Sequence, residues 1–250
     1  MSPPTLTIFF PAWNEEAGLE RTVTAAVDAG TRVQAAGEVS GFEVVIVDDA
    51  STDATGAIAD RLAAADGRVR VVHHDRNRGL GGAIRTGLAS STGDLVLYTD
   101  ADLPFDLVEL DKALRVARVY DADVVALYRL DRTGEGPRRF AYSFLYNHLV
   151  RAVFGLRVRD VNFAGKLLRR RVLDAVDLRS EGSFIDVELL VSAQRRGFTI
   201  MQFGVDYFPR TRGVSTLSSW PVIWGIVREM RALRRQLDAV TPDGTTGAAR

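Results

Sequence analysis

The sequence predicts an α/β fold: a mostly parallel, twisted sheet flanked by helices, with a C-terminal amphipathic helix. Three observations carry the expectation. Short β-branched, apolar runs alternate with segments of helical period from residue 5 to residue 128, as βα units feeding a parallel sheet do. Each of the first four runs is followed by polar residues of the Asn/Asp type. The chain of 250 residues is 46% hydrophobic and 26% charged, enough apolar material for a core and suited to one large α/β domain or two small ones.

The elements follow in order. Residues 5–10 form a first strand that Pro11 stops, and residues 15–36 carry helical spacing through Leu19, Val23, Ala26 and Val27. A second strand at 43–47 runs into Asp48-Asp49-Ala-Ser-Thr-Asp53, where Ser51 or Thr52 caps a helix over 53–65 and Asp53 caps locally. A third strand spans 69–72. The glycine-rich segment 77–82 opens a helix to about Ser91. It lacks the Lys-Ser/Thr of a P-loop and reads as a turn that lets a helix pack closely. Strands at 95–98 and 123–127 complete the regular half. Beyond it come a polar loop at 132–137, an apolar helix at 140–154, strands at 162–168 and 199–208, and a helix at 184–196. A long helix at 220–237 places Ile223, Ile226, Val227, Met230, Leu233 and Leu237 on one side. A single domain is expected over residues 1–240, with a disordered tail at 241–250.

Composition excludes several classes of chemistry. With no cysteine there is no disulfide, zinc thiolate or cysteine nucleophile. Lys+Arg and Asp+Glu both number 32, so net charge makes no case for nucleic acid. Almost every basic residue is Arg, with Lys only at 112 and 166, a bias that suits phosphate contacts and that a GC-rich genome also produces. No basic-then-apolar leader is expected from the first residues, and no window approaches the ~20 apolar residues that span a bilayer. The expected location is cytoplasmic. The 220–237 helix, with Trp220, Trp224 and an arginine face, suits either a core-covering role or a peripheral position on the cytoplasmic membrane face.

The strongest chemical signal is Leu95-Val-Leu-Tyr-Thr-Asp100-Ala-Asp102, a buried strand ending in two carboxylates. Strand ends are where open α/β sheets place ligands. Two neighbouring carboxylates repel unless a cation lies between them, and Mg or Mn would take their oxygens together with substrate phosphates. The other strand ends add Pro11-Ala-Trp-Asn14-Glu15, Asp48-Asp49 and Asn77-Arg78-Gly79 to the same sheet edge. His73 and His74 have no further ligand residues at metal spacing and read as structural. The first strand is not followed by Gly-x-Gly-x-x-Gly, which disfavours a dinucleotide oxidoreductase.

Taken in order, Pro-Ala-x-Asn-Glu, Val-Asp-Asp-x-Ser-x-Asp, Asn-Arg-Gly-x-Gly-x-Ala and Asp-Ala-Asp resemble family 2 glycosyltransferases of the Rossmann-like GT-A fold, over roughly residues 5–217. Within them the chain is most like the dolichyl- and polyprenyl-phosphate sugar transferases. The resemblance implies that Pro11, Trp13, Glu15, Val47 and Asp49 contact the nucleotide of a nucleotide-sugar donor such as GDP-mannose or a UDP-sugar. It implies that Asp100, Ala101 and Asp102 form the metal and diphosphate site, with Asp100 and Asp102 as ligands. Arg210, Arg212, Gly213 and Ser215 match a late loop that closes on the diphosphate. Arg129, Arg139 and Ser143 match positions that hold an acceptor phosphate, and Asp186 and Glu188 fall where members carry an acidic residue beneath the acceptor. Two positions depart from the family pattern: Pro104 stands where a Gln ligand is common, and Thr216 where a Lys is common.

The chemistry separates two acceptors. A hydroxyl acceptor, soluble or on a glycan, needs a general base, for which Asp186 and Glu188 are the candidates. A lipid phosphate is already ionised, so arginines such as Arg129 and the Arg138-Arg139 pair become the signature. Attack opposite the leaving group inverts the anomeric centre. A non-catalytic nucleotide-sugar-binding subunit is the reading that Pro104 and Thr216 leave open.

Overall fold

The computed structural model describes residues 2–131 and 137–208, together with helical positions 228, 230, 231 and 233–235; side chains are described for all of these except 137–142. The loop at 132–136, Arg210, Arg212, Gly213, Ser215, Thr216, most of the 220–237 helix and the 241–250 tail lie outside the described residues, as does the side chain of Arg139.

The described residues build one sheet of seven strands in the order β3-β2-β1-β4-β6-β5-β7. The strands are β1 (Thr5–Ala12), β2 (Gly41–Asp48), β3 (Val69–His73), β4 (Leu95–Thr99), β5 (Val124–Arg129), β6 (Gly165–Arg169) and β7 (Ile200–Val205). Between them lie α1 (Leu19–Ala35), α2 (Thr55–Ala65), α3 (Gly79–Ser90), α4 (Glu109–Val119), α5 (Pro137–Phe154), α6 (Arg170–Ala175) and α7 (Ile185–Arg195). All pairings are parallel except those of β6, which runs antiparallel to both β4 and β5.

Period-2 alternation divides the core between the two faces of the sheet. Leu6, Ile8 and Phe10, Val44 and Ile46, and Leu95 and Leu97 pack with α1, α2 and α4. Phe9, Val45, Val47, Val96 and Tyr98 pack with α3, α5 and α7 on the other face, joined there by Met230 and Leu233. Met230 and Leu233 are buried in that core, while Arg228, Arg231, Arg234 and Arg235 stay exposed.

Several elements differ from the sequence expectation. Pro11 does not stop β1: the strand runs on to Ala12, pairing Pro11 with Val47. The β1–β4 ladder has already ended at Phe9, so β1 is an edge there on that side, where the missing N–H is tolerated. Neither Ser51 nor Thr52 caps α2. Its first amides are met by Asp53, which accepts from Thr55 N at 2.9 Å, and by Glu16, which accepts from Ala54 N at 2.9 Å. Helix α4 escaped the sequence reading although Leu110, Ala113, Leu114 and Ala117 form an apolar stripe at helical spacing.

Candidate active site

Because β1 to β4 are parallel, their C-terminal ends share one edge of the sheet, where polar loops meet. The loop after β1 is stitched to the loop after β2. Asn14 N donates to Ser51 Oγ at 3.0 Å, Thr52 N donates to Asn14 Oδ1 at 2.8 Å, and Glu15 N donates to Thr55 Oγ1 at 2.8 Å. This lacing holds Glu15 over the edge and leaves Trp13 55% exposed at its rim. Three residues just past strand ends take left-handed backbone: Asn14 (φ 58°), Ala50 (φ 57°) and Leu103 (φ 53°). For Ala and Leu that conformation costs about 1–2 kcal/mol each, and it turns the chain sharply beside Asp49 and Asp102.

Asp48 and Asp49 are both buried and both engaged. Asp48 accepts from Ser51 N at 3.1 Å and pairs with His73 Nδ1 at 2.9 Å. Burial acts to raise its pKa, but the hydrogen bonds of Ser51 and His73 together hold it below the usual carboxylate value. Asp49 Oδ1 faces His74 Nδ1 at 2.6 Å and accepts from Arg78 N at 2.7 Å. Val47 is part of the core under this edge, and Pro11 is half-buried beside it.

The glycine-rich turn packs as its composition suggests. Gly81 N donates to the Glu181 carbonyl at 2.8 Å, so an amide at the start of α3 is already taken. A Cβ on Gly81 would stand 2.2 Å from the Ser180 carbonyl oxygen, which explains the glycine. Glu188 fixes that approach from the far side: its carboxylate accepts from Arg179 N at 3.0 Å and Ser180 N at 2.8 Å.

The Asp100–Asp102 turn leaves the end of β4. Leu103 N donates to the Asp100 carbonyl at 3.3 Å, and the Ala101 carbonyl accepts from Thr22 Oγ1 at 2.5 Å. Ala101, Pro104 and Phe105 are buried, and Asp100 and Asp102 stand half-buried at the edge. The donor set is two carboxylates of hard oxygen, which suits Mg or Mn. No group of three or more His, Cys, Asp or Glu side chains gathers among the described residues, so these two carboxylates alone do not fill the shell of such an ion.

The reversal of β6 brings residues 160–164 back to the same edge, next to the ends of β4 and β5. Arg129, the last residue of β5, makes a two-pronged pair with Asp160: Nε to Oδ2 at 2.7 Å and Nη2 to Oδ1 at 3.0 Å. Its guanidinium lies 5.1 Å from the Tyr207 ring and 5.7 Å from the Phe163 ring. Behind it, Lys166 Nζ donates to Asp186 Oδ1 at 2.6 Å and to the Phe163 carbonyl at 2.8 Å, with the two side chains only 1% and 3% exposed. Burial pushes the Asp186 carboxyl up, while Lys166 opposes that shift. Asp186 and Glu188 thus lie inside the protein, facing Lys166 and a backbone turn. Ser143 is half-buried on α5, and its carbonyl accepts from Asn147 Nδ2 at 2.8 Å.

The structure thus gathers Pro11, Trp13, Glu15, Asp49, Asp100, Asp102 and Arg129 along one edge. Sequence reasoning placed Asn14 at the strand end and Ser51 as a helix cap without their lacing role, and missed Thr55, the Arg129 partner Asp160, and Lys166. Of those three, Lys166 alone had left a signal, as one of two lysines in an arginine-rich chain and the one set within an apolar strand.

Residues 7–177 match the profile of Glycosyl transferase family 2. Glycosyltransferase AglD of Haloferax volcanii is 35% identical over 210 residues, covering 82% of this chain and 33% of that protein. Polyprenol monophosphomannose synthase of Mycolicibacterium smegmatis is 31% identical over 222 residues, covering 84% of this chain and 80% of that protein. The mouse dolichyl-phosphate beta-glucosyltransferase is 30% identical over 217 residues, covering 81% and 67%. The chain spans 33% of AglD and about half of two further relatives, at 53% and 51%. In fold it resembles glucosyl-3-phosphoglycerate synthase of Mycobacterium tuberculosis, solved with Mn2+, UDP and glucosyl-3-phosphoglycerate. That match has a TM-score of 0.68 at 21% identity and covers 96% of this chain and 82% of the other.

Proposed function

Given that the chain belongs to glycosyl transferase family 2, we propose that it moves a sugar from a nucleoside-diphosphate sugar to a polyprenyl or dolichyl phosphate, with inversion. The observation that carries the reading is the shared sheet edge, where the Asp100–Asp102 turn at the end of β4 stands with Asp49 and Glu15 on one side and Arg129 on the other. The names of the relatives support the acceptor class.

Roles follow from chemistry. Pro11, Trp13, Glu15, Val47 and Asp49 form the nucleotide side, with exposed Trp13 as a flat surface for the base. Asp100 and Asp102 would hold Mg or Mn, which when bound stabilises the charge of the departing diphosphate. Arg210 and Arg212 are assigned to that diphosphate from the sequence pattern. Arg129, aimed by Asp160 and flanked by two aromatic rings, together with Arg139 and Ser143, is assigned to the acceptor phosphate. A phosphate oxygen is ionised at neutral pH and needs no base, which agrees with the burial of Asp186 and Glu188: Asp186 supports the acceptor side through Lys166, and Glu188 holds the turn that packs on the start of α3. Among the described residues no helix is long and apolar enough to cross a membrane. Phe144, Leu145 and Leu149 are exposed on α5, and we assign that face to peripheral contact with the bilayer that carries the acceptor.

The test is transfer from labelled UDP- and GDP-sugars to polyprenyl phosphate with Mg2+ or Mn2+, scored as label extracted into organic solvent. Asp102→Ala is expected to abolish it, and substantial residual transfer would remove the metal assignment. Label that stays in water on a soluble acceptor would overturn the lipid-phosphate reading while keeping the donor. Flotation with liposomes tests the α5 face: loss of binding is expected in Leu145→Asp, and failure of the unaltered protein to float at low salt would refute the contact.

A further inference from the structure

We propose that His74 is a positioning residue for base recognition: it clamps the Asp49 carboxylate so that one oxygen is kept for a nucleobase N–H. The inference rests on the nucleotide-sugar reading above and adds to it a residue that the family pattern does not supply.

The geometry begins where the β2–β3 ladder ends. Asp48 and His73 are its last pair, so Asp49 and His74 stand side by side just beyond it. Their backbones are pinned there: Asp49 N donates to the Ala12 carbonyl and His74 N to the Asp48 carbonyl, both at 2.9 Å. Ala50, at φ 57°, turns the chain away immediately, so Asp49 has little freedom to shift.

The side chains complete a relay. His74 Nδ1 lies 2.6 Å from Asp49 Oδ1, and Nε2 lies 2.8 Å from Thr86 Oγ1 on α3. The two paired side chains are 2% and 5% exposed, so water does not compete for the contact. A carboxylate only accepts, so Nδ1 carries the proton, and Thr86 holds the other edge of the ring. Arg78 N, just before α3, gives Asp49 Oδ1 a second donor at 2.7 Å. Oδ1 is thus occupied twice, while among the described residues no group bonds Oδ2. A carboxylate held by one oxygen presents the other in a fixed direction. The ligand group that such an oxygen recognises is an N–H on the pairing edge of a base, of the kind uracil and guanine carry.

A histidine that merely stabilised the fold would affect every ligand alike. A clamp on the base-reading oxygen affects the nucleoside and spares the phosphates. The experiment is calorimetric titration of the full chain with UDP, with GDP and with inorganic pyrophosphate, each with Mn2+. The proteins are the unaltered chain, His74→Leu, His74→Asn and Thr86→Val, each checked for folding by circular dichroism. His74→Leu is expected to weaken the preferred nucleoside diphosphate by about tenfold or more, the scale of a hydrogen bond to a charged group. Pyrophosphate should change by less than about twofold on the same scale. His74→Asn, which restores an N–H near the Nδ1 position, recovers most of the loss, and Thr86→Val falls between. Equal weakening of nucleotide and pyrophosphate, or unchanged nucleotide binding in His74→Leu, overturns the proposal. If His74→Leu does not fold, Thr86→Val decides: a selective loss of nucleotide supports the clamp and no loss refutes it. An unaltered chain that binds neither UDP nor GDP would sink the nucleotide-sugar reading itself, an outcome distinct from failure of the clamp.

Discussion

Replacing Lys166 by Met keeps most of the side-chain volume and removes one charge from a sealed pair. Lys166 Nζ bonds Asp186 Oδ1 at 2.6 Å and the Phe163 carbonyl at 2.8 Å. The substitution leaves a buried carboxylate without its counter-charge and a buried carbonyl without its donor. Breaking such a pair from one side costs about 3–5 kcal/mol. Proton uptake limits the cost, and that gives the prediction its signature. Burial already pushes the Asp186 carboxyl up against the pull of Lys166, so loss of Lys166 pushes it further. An acid whose folded pKa is raised holds its proton more tightly when folded. Its stability contribution therefore falls as pH rises from the unfolded value, about 3.9, to the folded one. Lys166→Met should accordingly lie nearest the unaltered protein in acid and furthest from it at pH 8. With a urea slope of roughly 3 kcal/mol/M for a chain of this size, the unfolding midpoint drops by about 1 M or more at pH 8. The drop is smaller at pH 5. Removing both charges in Lys166→Met with Asp186→Leu should restore much of the loss. A midpoint at pH 8 within about 0.3 M of the unaltered protein, or a deficit that ignores pH, would refute the reasoning.

Further outcomes are open to measurement. Gly81→Ala sets a Cβ 2.2 Å from the Ser180 carbonyl oxygen, a backbone atom that Glu188 helps to hold, and should cost about 1–3 kcal/mol in urea unfolding. Gly67→Ala, with nothing within 4 Å, is the control, and equal effects at the two sites would count against the packing argument. His73 faces Asp60 at 3.0 Å and Asp48 at 2.9 Å, and those two hydrogen bonds, Asp60 first, raise its pKa above 6.5. The stability it adds is present in full below the unfolded value and disappears as pH rises through the raised folded value. His73→Gln should therefore lower the melting temperature more at pH 6 than at pH 9, and a deficit equal at both pH values would contradict the assignment.

Much of this arrangement was legible in the chain because it is local. A buried strand followed by Asp-Ala-Asp needs only eight consecutive residues to declare itself, and the parallel half of the sheet follows from alternating periods. What stayed hidden depends on contacts between distant segments. That Asp160 would aim Arg129 follows only from β6 running backwards, which no periodicity encodes. Asp186 and Glu188 looked alike as acidic residues two apart, yet α7 is buried on every side, so one faces a lysine and the other a backbone turn. The boundaries missed near Pro11 and α2 were decided by neighbours: the early end of the β1–β4 ladder, and a carboxylate reaching in from the loop after β1.

The reversed strand also has a consequence in time. Strands β1, β2 and β3 join through the single helical crossovers α1 and α2, and β4 then returns beside β1 across roughly ninety residues. Strand β6 must then enter the gap between β4 and β5, meeting β4 across roughly seventy residues of chain, a second long-range pairing of the kind that slows folding. Until it does, Leu97, Tyr98 and Val125 present open strand edges to the solvent. During synthesis the edge formed by β1 to β4 can be complete while the pairing of Arg129 with Asp160 is still unmade, so on the function proposed above β6 is the closing step that adds the acceptor side. On that proposal, slow or failed insertion would yield a chain that retains nucleotide and transfers nothing.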